Sequence, residues 1–496
     1  MQTGYILSID QGTTGTTILL MDAEGEIVGK ESREFTQYYP KPGWVEHDAI
    51  EIWEVTCQVV VDLVSAYNAK NQIIAIGVTN QRETTVIWDR RTGNPIHPAI
   101  VWQCRRTSEI CSDLKKQGLE EKIKSKTGLV TDPYFSSTKV LWILDQVDNA
   151  RSLADQGYLA FGTIDSWLLW NLTDGTSHAT DQTNASRTML FNINTLQWDE
   201  ELLEIFQVPV SILPEVQPSS NIFGTTKGLE FLPDSIPISG MAGDQQAALF
   251  GQLCTQSGVA KNTYGTGCFL LLNTGDQPIQ SESGLLTTLA CSLDQKPTYA
   301  LEGSVFIAGA AIQWLRDELH FVDSAAETEV LAESLNDSDG VFVVPAFTGL
   351  GAPYWDPNAK GAILGLTRGT TPSHIVRASL ESIAFQSADL VEAMIYDAGL
   401  QLHQLRVDGG AASNNFLMQF QADILGIPVD RPANIETTAL GAGFLAGLGC
   451  GFWSAWDEIA DNRKTERRFE PSMHDDRRDE LFKGWKDAVG RMGRAS

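Results

Sequence analysis

Short apolar runs in this chain repeatedly stop at turns of glycine, threonine and aspartate. Ile6-Leu7-Ser8-Ile9 ends in Asp10-Gln11-Gly12-Thr13-Thr14 and resumes at Ile18-Leu19-Leu20-Met21. Asn262-Thr263-Tyr264 meets Gly265-Thr266-Gly267 before Cys268-Phe269-Leu270-Leu271-Leu272, and Leu405-Arg406-Val407 meets Asp408-Gly409-Gly410. Runs of this length bounded by glycine turns predict buried strands. A further strand, Ile73 to Val78, delivers Thr79-Asn80-Gln81-Arg82-Glu83-Thr84-Thr85 at its end, and Val341 to Pro345 reads as another. Helical spacing predicts a helix from an Asp48 cap to about Tyr67, with Ile52, Val55, Val59 and Leu63 on one face. Others are expected over Asp244–Phe250, Val305–Leu319, Pro372 to about Ala398 behind Thr371, and a Gly/Ala-rich segment from Thr437 to Leu448. Val208 to Pro237 reads as an irregular connection, Thr180 to Arg187 as a polar loop, and the charged tail from about Asp457 as peripheral.

The turns suggest phosphate chemistry. Glycine lets a backbone approach a ligand closely, and threonine adds hydroxyl donors beside the amides. The run Ile238 to Gly243 places a carboxylate, Asp244, just before Gln245-Gln246, where it can accept a proton from a hydroxyl. Arg82-Glu83 offers donors and an acceptor to a polyol at a strand end, where ligand crevices form. Trp102 and Tyr134 add rings that can cover carbon. Taken alone, Arg82-Glu83 equally describes a surface ion pair, Trp102 a core aromatic, Tyr134 a loop seal and Asp244 a solvated acid.

Composition narrows the class. The 496 residues are 43% hydrophobic and 20% charged, enough for at least two cores. A net charge of −27 argues against nucleic-acid and anionic-membrane partners, which it would repel. The seven cysteines, at 57, 104, 111, 254, 268, 291 and 450, form no Cys-x-x-Cys pair and are expected as reduced thiols. Met1-Gln2-Thr3-Gly4 runs into a strand without a basic segment and apolar core of signal length, and no apolar stretch reaches the roughly 18 residues of a spanning helix. A soluble, cytoplasmic protein is expected.

Three phosphate-type turns drawn from two halves follow the pattern of actin-like and sugar-kinase ATPases. The chain resembles the FGGY carbohydrate kinase family over most of its length. The residues carrying the resemblance are Asp10 to Thr14, Thr79 to Thr85, Asp132-Pro133-Tyr134-Phe135, Gly243 to Gln246, Asn262 to Phe269 and Asp408 to Gly410. The sets Arg82-Glu83, Tyr134 and Asp244-Gln245 are its specific part, since the Gly-rich turns recur among actin-like ATPases.

The resemblance implies an α/β fold of two ribonuclease-H-like (actin-like ATPase) domains, residues 1–251 and 252–496, with nucleotide and substrate in the cleft between them. It implies ATP-dependent phosphorylation of glycerol. Arg82, Glu83, Tyr134, Asp244 and Gln245 would bind its hydroxyls and Trp102 and Phe269 its carbon face, with Asp244 as general base. Gly12, Thr13, Thr14 and Thr266 would meet the phosphates, Gly309, Gln313, Gly410 and Asn414 the rest of the nucleotide, and Asp10 with Asp244 would hold magnesium. A homo-oligomer, dimer or tetramer, is expected with it. Two features depart from the family pattern: Thr17 stands where the first loop often has arginine, and the regulatory glycine-and-arginine loop has no counterpart around Thr226 to Glu230. The alternatives are a kinase for a larger sugar, disfavoured by the compact Arg82-Glu83 and Trp102/Phe269 set, and an actin-like ATPase without a polyol substrate.

Overall fold

The Gly/Thr/Asp turns sit at strand ends in two separate sheets. The computed structural model describes residues 4–293, 296–356, 358–460 and 463–492, so the first three residues and parts of the charged tail lie outside the described residues. The first sheet uses β1 (Tyr5–Gln11), β2 (Gly15–Met21), β3 (Ile27–Glu34), β4 (Ile73–Asn80), β5 (Ser220–Thr225) and β6 (Pro237–Gly243). Its order is β5-β6-β4-β1-β2-β3, with β1, β4 and β6 parallel and the outer neighbours antiparallel.

The second sheet uses β7 (Ala260–Tyr264), β8 (Cys268–Gly275), β9 (Leu286–Ala290), β10 (Thr298–Val305), β11 (Leu405–Asp408), β12 (Val429–Pro432) and β13 (Thr465–Phe469). Its order is β9-β10-β8-β7-β11-β12-β13. Again an antiparallel meander leads into parallel strands, β7, β11 and β12, with one antiparallel strand at the far edge. The repeat of turn chemistry between the halves is thus also a repeat of topology.

Burial on both faces explains the unbroken apolar runs of β1 and β2. Leu7, Ile9, Ile18 and Leu20 pack with Ile52, Val59 and Leu63 of α1 (Ala49–Ala66). Asp48 caps that helix, its Oδ1 accepting from the Ile50 and Glu51 amides. Ile6, Leu19 and Met21 face the other way, toward Ala439, Leu445 and Ala446. The helices include α2 (Asp244–Gly251), α3 (Gly309–Asp317), α4 (Pro372–Ala398), α5 (Asn415–Leu425), α6 (Thr437–Gly449) and α7 (Asp475–Gly490).

Helix α6 belongs to the second half of the chain but lies on the first sheet and against α2, in one apolar cluster with Ala75 and Phe250. Small residues make that approach possible. A Cβ on Gly77 would stand 2.2 Å from the Ala442 carbonyl oxygen, and one on Gly441 1.9 Å from that of Ala247.

Four expectations need correction. The tail is not peripheral: β13 pairs with β12, and α7 buries Trp485, Ala488 and Val489 in the second core. Its charges decorate an amphipathic helix whose apolar positions recur every three or four residues. The 208–237 stretch contributes edge strand β5, where pairing with β6 overrides weak periodicity. The apolar run to Val305 continues β10, and the helix starts only at Gly309. Thr180 to Arg187 is not a loop: a strand, Ala179–Asp181, leads into a helical turn, Gln182–Ala185, capped by Asp181.

Candidate active site

Sheet alternation decides what the second half offers to the cleft. Lys261, Thr263, Phe269, Leu271, Glu302 and Ser304 share one face by register, since Lys261 pairs with Leu271, Leu271 with Glu302, and Phe269 with both Thr263 and Ser304. The opposite face sends Tyr264, Leu270, Leu272 and Leu301 into the core against Ile383 and Phe385 of α4. The first face carries the second half's share of a polar cluster.

That cluster centres on Arg82, just past β4 and buried. Its Nη1 donates to Glu302 Oε2 at 2.6 Å and to Gln246 Oε1 at 3.1 Å, and its Nη2 to Glu302 Oε1 at 3.0 Å. Its Nε lies 3.1 Å from Asp244 Oδ1. Arg187, equally buried, donates from Nε to Glu83 Oε1 at 2.6 Å and from Nη2 to Glu302 Oε1 at 3.0 Å. Its guanidinium lies 5.5 Å from the Tyr134 ring centroid. Glu83 takes φ +61, an uncommon backbone for a non-glycine residue and a form of strain that concentrates at functional sites.

The predicted residues converge unevenly. Arg82, Glu83, Asp244, Gln245 and Tyr134 share this cluster or touch it. Gln245 accepts a hydrogen bond from Lys261 Nζ, which also donates to Thr263 Oγ1 at 2.8 Å. Trp102 meets Tyr134 edge-on, with centroids 5.4 Å apart. Phe269 lies on the Glu302 face of the second sheet.

Asp244 opens α2, and its Oδ1 accepts the Gln245 amide at 2.7 Å; among the described residues its Oδ2 takes no hydrogen bond. Gly243 precedes it because a Cβ there would sit 2.7 Å from both Cγ and Cδ of Arg82.

The Asp10–Thr14 turn closes on itself. The Gly12 amide donates to the Gly15 carbonyl, and Gln81 and Gln11 both donate to the Gly12 carbonyl. Thr14 is exposed. Across the cleft, Thr266, Gly309, Gln313, Gly410 and Asn414 line one cavity of about 530 Å³ with Tyr264, Ala326 and Glu329. Gly12, Thr13 and Thr14 are not among its walls. Asn414 is partly committed, its Oδ1 capping α5 at the Leu417 amide and its Nδ2 donating to Thr328. Gly409, at φ +84, must be glycine, since a Cβ would come within 2.5 Å of the Tyr264 carbonyl oxygen.

Electrostatics separate the carboxyls. Burial, with Asp244 nearby, pushes Asp10 up to about 8. Burial also raises Asp244, opposed by Arg82. Glu302 is held at about 2, because Arg187 and Arg82 outweigh the burial that would raise it. Glu302, Arg187 and Lys261 were not anticipated from sequence, and Gln246 enters it only as part of the Gly243–Gln246 motif, without a role. The available signals were a lone acid in Tyr299-Ala300-Leu301-Glu302 and a lone lysine inside a strand pattern.

Comparison with known proteins decides the family. The model of the N-terminal domain of the FGGY family of carbohydrate kinases matches residues 5–251, and that of the C-terminal domain matches residues 260–450. The chain belongs to the FGGY family of carbohydrate kinases. Among its FGGY relatives, proteins named glycerol kinase from Petrotoga mobilis and Carboxydothermus hydrogenoformans are 60% and 59% identical over 488 residues, 98% of each chain. The crystal structure of Plasmodium falciparum glycerol kinase with ADP is 40% identical, with TM-score 0.94 over 99% of this chain and 98% of that one. A gluconate kinase structure from Lactobacillus acidophilus, 24% identical with TM-score 0.88, shares the fold. No described helix is long and apolar enough to cross a membrane.

Proposed function

We propose that this chain is an ATP-dependent glycerol kinase, forming sn-glycerol 3-phosphate, and that Asp244 is its general base. The observation that carries the reading is the state of Asp244. One carboxylate oxygen is anchored by the Gln245 amide beside Arg82, and the other takes no hydrogen bond among the described residues. A base must have an accessible lone pair and a fixed direction, and burial raises its proton affinity toward the working range. Close relatives named glycerol kinase support the substrate.

In this reading Arg82, Glu83, Gln245 and Tyr134 bind the hydroxyls, and Trp102 and Phe269 cover the carbons. Thr266, Gly309, Gln313, Gly410 and Asn414 hold the nucleotide within the 530 Å³ cavity, and Gly12, Thr13 and Thr14 reach its phosphates from the other side. Asp244 takes the proton of the attacking hydroxyl, while the two halves exclude water and align donor and acceptor.

Asp10 and Asp244 fit a magnesium ion. Burial first, and then the Asp244 charge, raise the proton affinity of Asp10, a repulsion a cation relieves, and the Asp10 carboxylate takes no hydrogen bond among the described residues. No group of three or more metal-ligating side chains occurs there either, which suits an ion that keeps water and phosphate ligands. When bound, such an ion neutralises charge on the transferred phosphoryl group.

The two units are taken as residues 1–251 and 252–496, in a cytoplasmic homo-oligomer. Purified protein with magnesium and ATP should release ADP only when glycerol or a close three-carbon analogue is added. Equal turnover with xylulose, or hydrolysis indifferent to any polyol, would overturn the assignment.

A further inference from the structure

We propose that Glu302 is the positioning residue for Arg82, and that it and Arg187 make the polyol pocket a joint product of both halves of the chain. The inference rests on the reading of glycerol as substrate. Glu302 comes from β10 in the second sheet, whereas Arg82 and Arg187 come from the first half. All three side chains are at most 2% exposed.

A fully buried carboxylate inside a strand is costly, and an apolar residue would stabilise the sheet at least as well. Two guanidinium groups converge on Glu302 instead. Its Oε1 accepts from Arg82 Nη2 and Arg187 Nη2, both at 3.0 Å, and its Oε2 accepts from Arg82 Nη1 at 2.6 Å. The paired contacts to Arg82 fix the plane of its guanidinium as well as its location. With Gln246 holding the second hydrogen of Nη1, the group that remains to be aimed is Nε, 3.1 Å from Asp244. Only one hydrogen on Nη2 is left uncommitted.

Arg187 extends the same control to Glu83, whose Oε1 it holds at 2.6 Å. Thus two residues assigned to the polyol are set by partners that need not touch it. Because Glu302 belongs to the second sheet, separating the halves removes the one carboxylate that holds Arg82 by paired contacts and leaves it Asp244. Polyol affinity and interdomain closure are then one event.

Steady-state kinetics of Glu302→Gln test this. The glycerol KM should rise by about 10–100-fold, the usual worth of a hydrogen bond to a charged group, while the ATP KM stays within about threefold. A merely structural role would reduce the active fraction, lowering kcat with both KM values intact, and that result would overturn the proposal. In an Arg82→Ala background, Glu302→Gln should raise the glycerol KM by much less than it does alone, since only its single contact to Arg187 remains; a full additive effect would also overturn it.

Should Glu302→Gln fail to fold, Arg187→Lys, which keeps the charge but loses the paired geometry, should raise the glycerol KM selectively; an unchanged KM would count against the proposal. A wild-type protein inert toward glycerol would refute the functional reading instead. The pairing would then be read without substrate, from urea unfolding of Arg82→Ala, Glu302→Gln and the double variant. Coupling of at least tenfold in the unfolding constant sustains it, and additivity rejects it.

Discussion

Trp102 donates its indole N–H to Thr13 Oγ1 at 2.9 Å, so the ring proposed to cover the polyol is bonded directly to the turn proposed to meet the phosphates. The same turn is held from below by Gln37 Nε2 on the Thr13 carbonyl and by Gln81 and Gln11 on that of Gly12. The position of Trp102 and the shape of the turn therefore depend on each other. Trp102→Phe keeps a ring against Tyr134 and removes the donor. KM for glycerol and for ATP should both rise, each about three- to tenfold, the worth of a neutral hydrogen bond. Thr13→Val should also raise both, with a further loss for ATP if its hydroxyl meets phosphate, and the double variant should be no worse than Thr13→Val alone. Independent effects of the two substitutions would show that the bond does not link the sites.

Trp485 tests the corrected reading of the tail. Its ring is fully buried, stacks on Phe385 with centroids 5.4 Å apart, and donates to Asp389 Oδ2 at 2.7 Å. Lys486 adds a 2.6 Å ion pair to the same carboxylate. Trp485→Ala leaves a large cavity and takes one of the hydrogen bonds from a buried acid that Tyr354 also holds, so it should cost about 3–5 kcal/mol in chemical denaturation. A loss below about 1 kcal/mol would mean that α7 is an appendage.

The sequence made local signals legible and long-range ones illegible. Asp48 before α1 and Thr371-Pro372 before α4 declare their helices because a cap acts within three residues. The Gly/Thr turns are equally local, and so were found on both sheets. Arg187 and Glu302 carry no such mark: a lone charge in a sequence looks the same whether it faces water or a partner 115 residues away. Only the register that sets Glu302 opposite Leu271 shows that it points into the cleft face. The tail misled for a related reason, since its many charges describe the outward face of α7 and say nothing of Trp485 beneath it.

Two buried histidines should make acid destabilising in a separable way. His47 donates from Nε2 to Gln37 Oε1 at 2.7 Å and accepts at Nδ1 from Gln81 Nε2 at 3.3 Å; His178 sits between the Phe161 carbonyl and Arg90 Nη2. Each needs one ring nitrogen as acceptor and so stays neutral. Burial lowers both to about 4, from an ordinary 6.5. A base with a depressed folded value binds its proton more readily when unfolded, so stability present above pH 6.5 is lost as pH falls toward 4.

Asp10 and Asp165, pushed by burial up to about 8 and about 7, work oppositely over the same range. The histidine share is therefore read as a difference. Between pH 7.5 and 5, wild type should lose about 2 kcal/mol more than His47→Gln, whose amide can supply both hydrogen bonds without titrating. Parallel pH profiles in urea would show that His47 is protonated in the fold.

Asp244→Asn tests the base. Asparagine keeps the size of the side chain, and its Oδ1 can still accept the Gln245 amide that anchors Asp244 at 2.7 Å. What it cannot do is take a proton. Glycerol binding should therefore survive within about tenfold, roughly 1.4 kcal/mol. Turnover should fall by about 10²–10⁴-fold, the usual worth of a positioned general base. If Asp244 also shares the magnesium ion with Asp10, part of that loss should be recovered at higher metal concentration. Loss of the charge beside Arg82 is a competing effect, but it acts on binding and so appears in the Michaelis constant. The remaining alternative is that Asp244 serves only to start α2. Asparagine fills that role almost equally well. Near-normal turnover in Asp244→Asn would establish that alternative, and the proton would have to leave by another group.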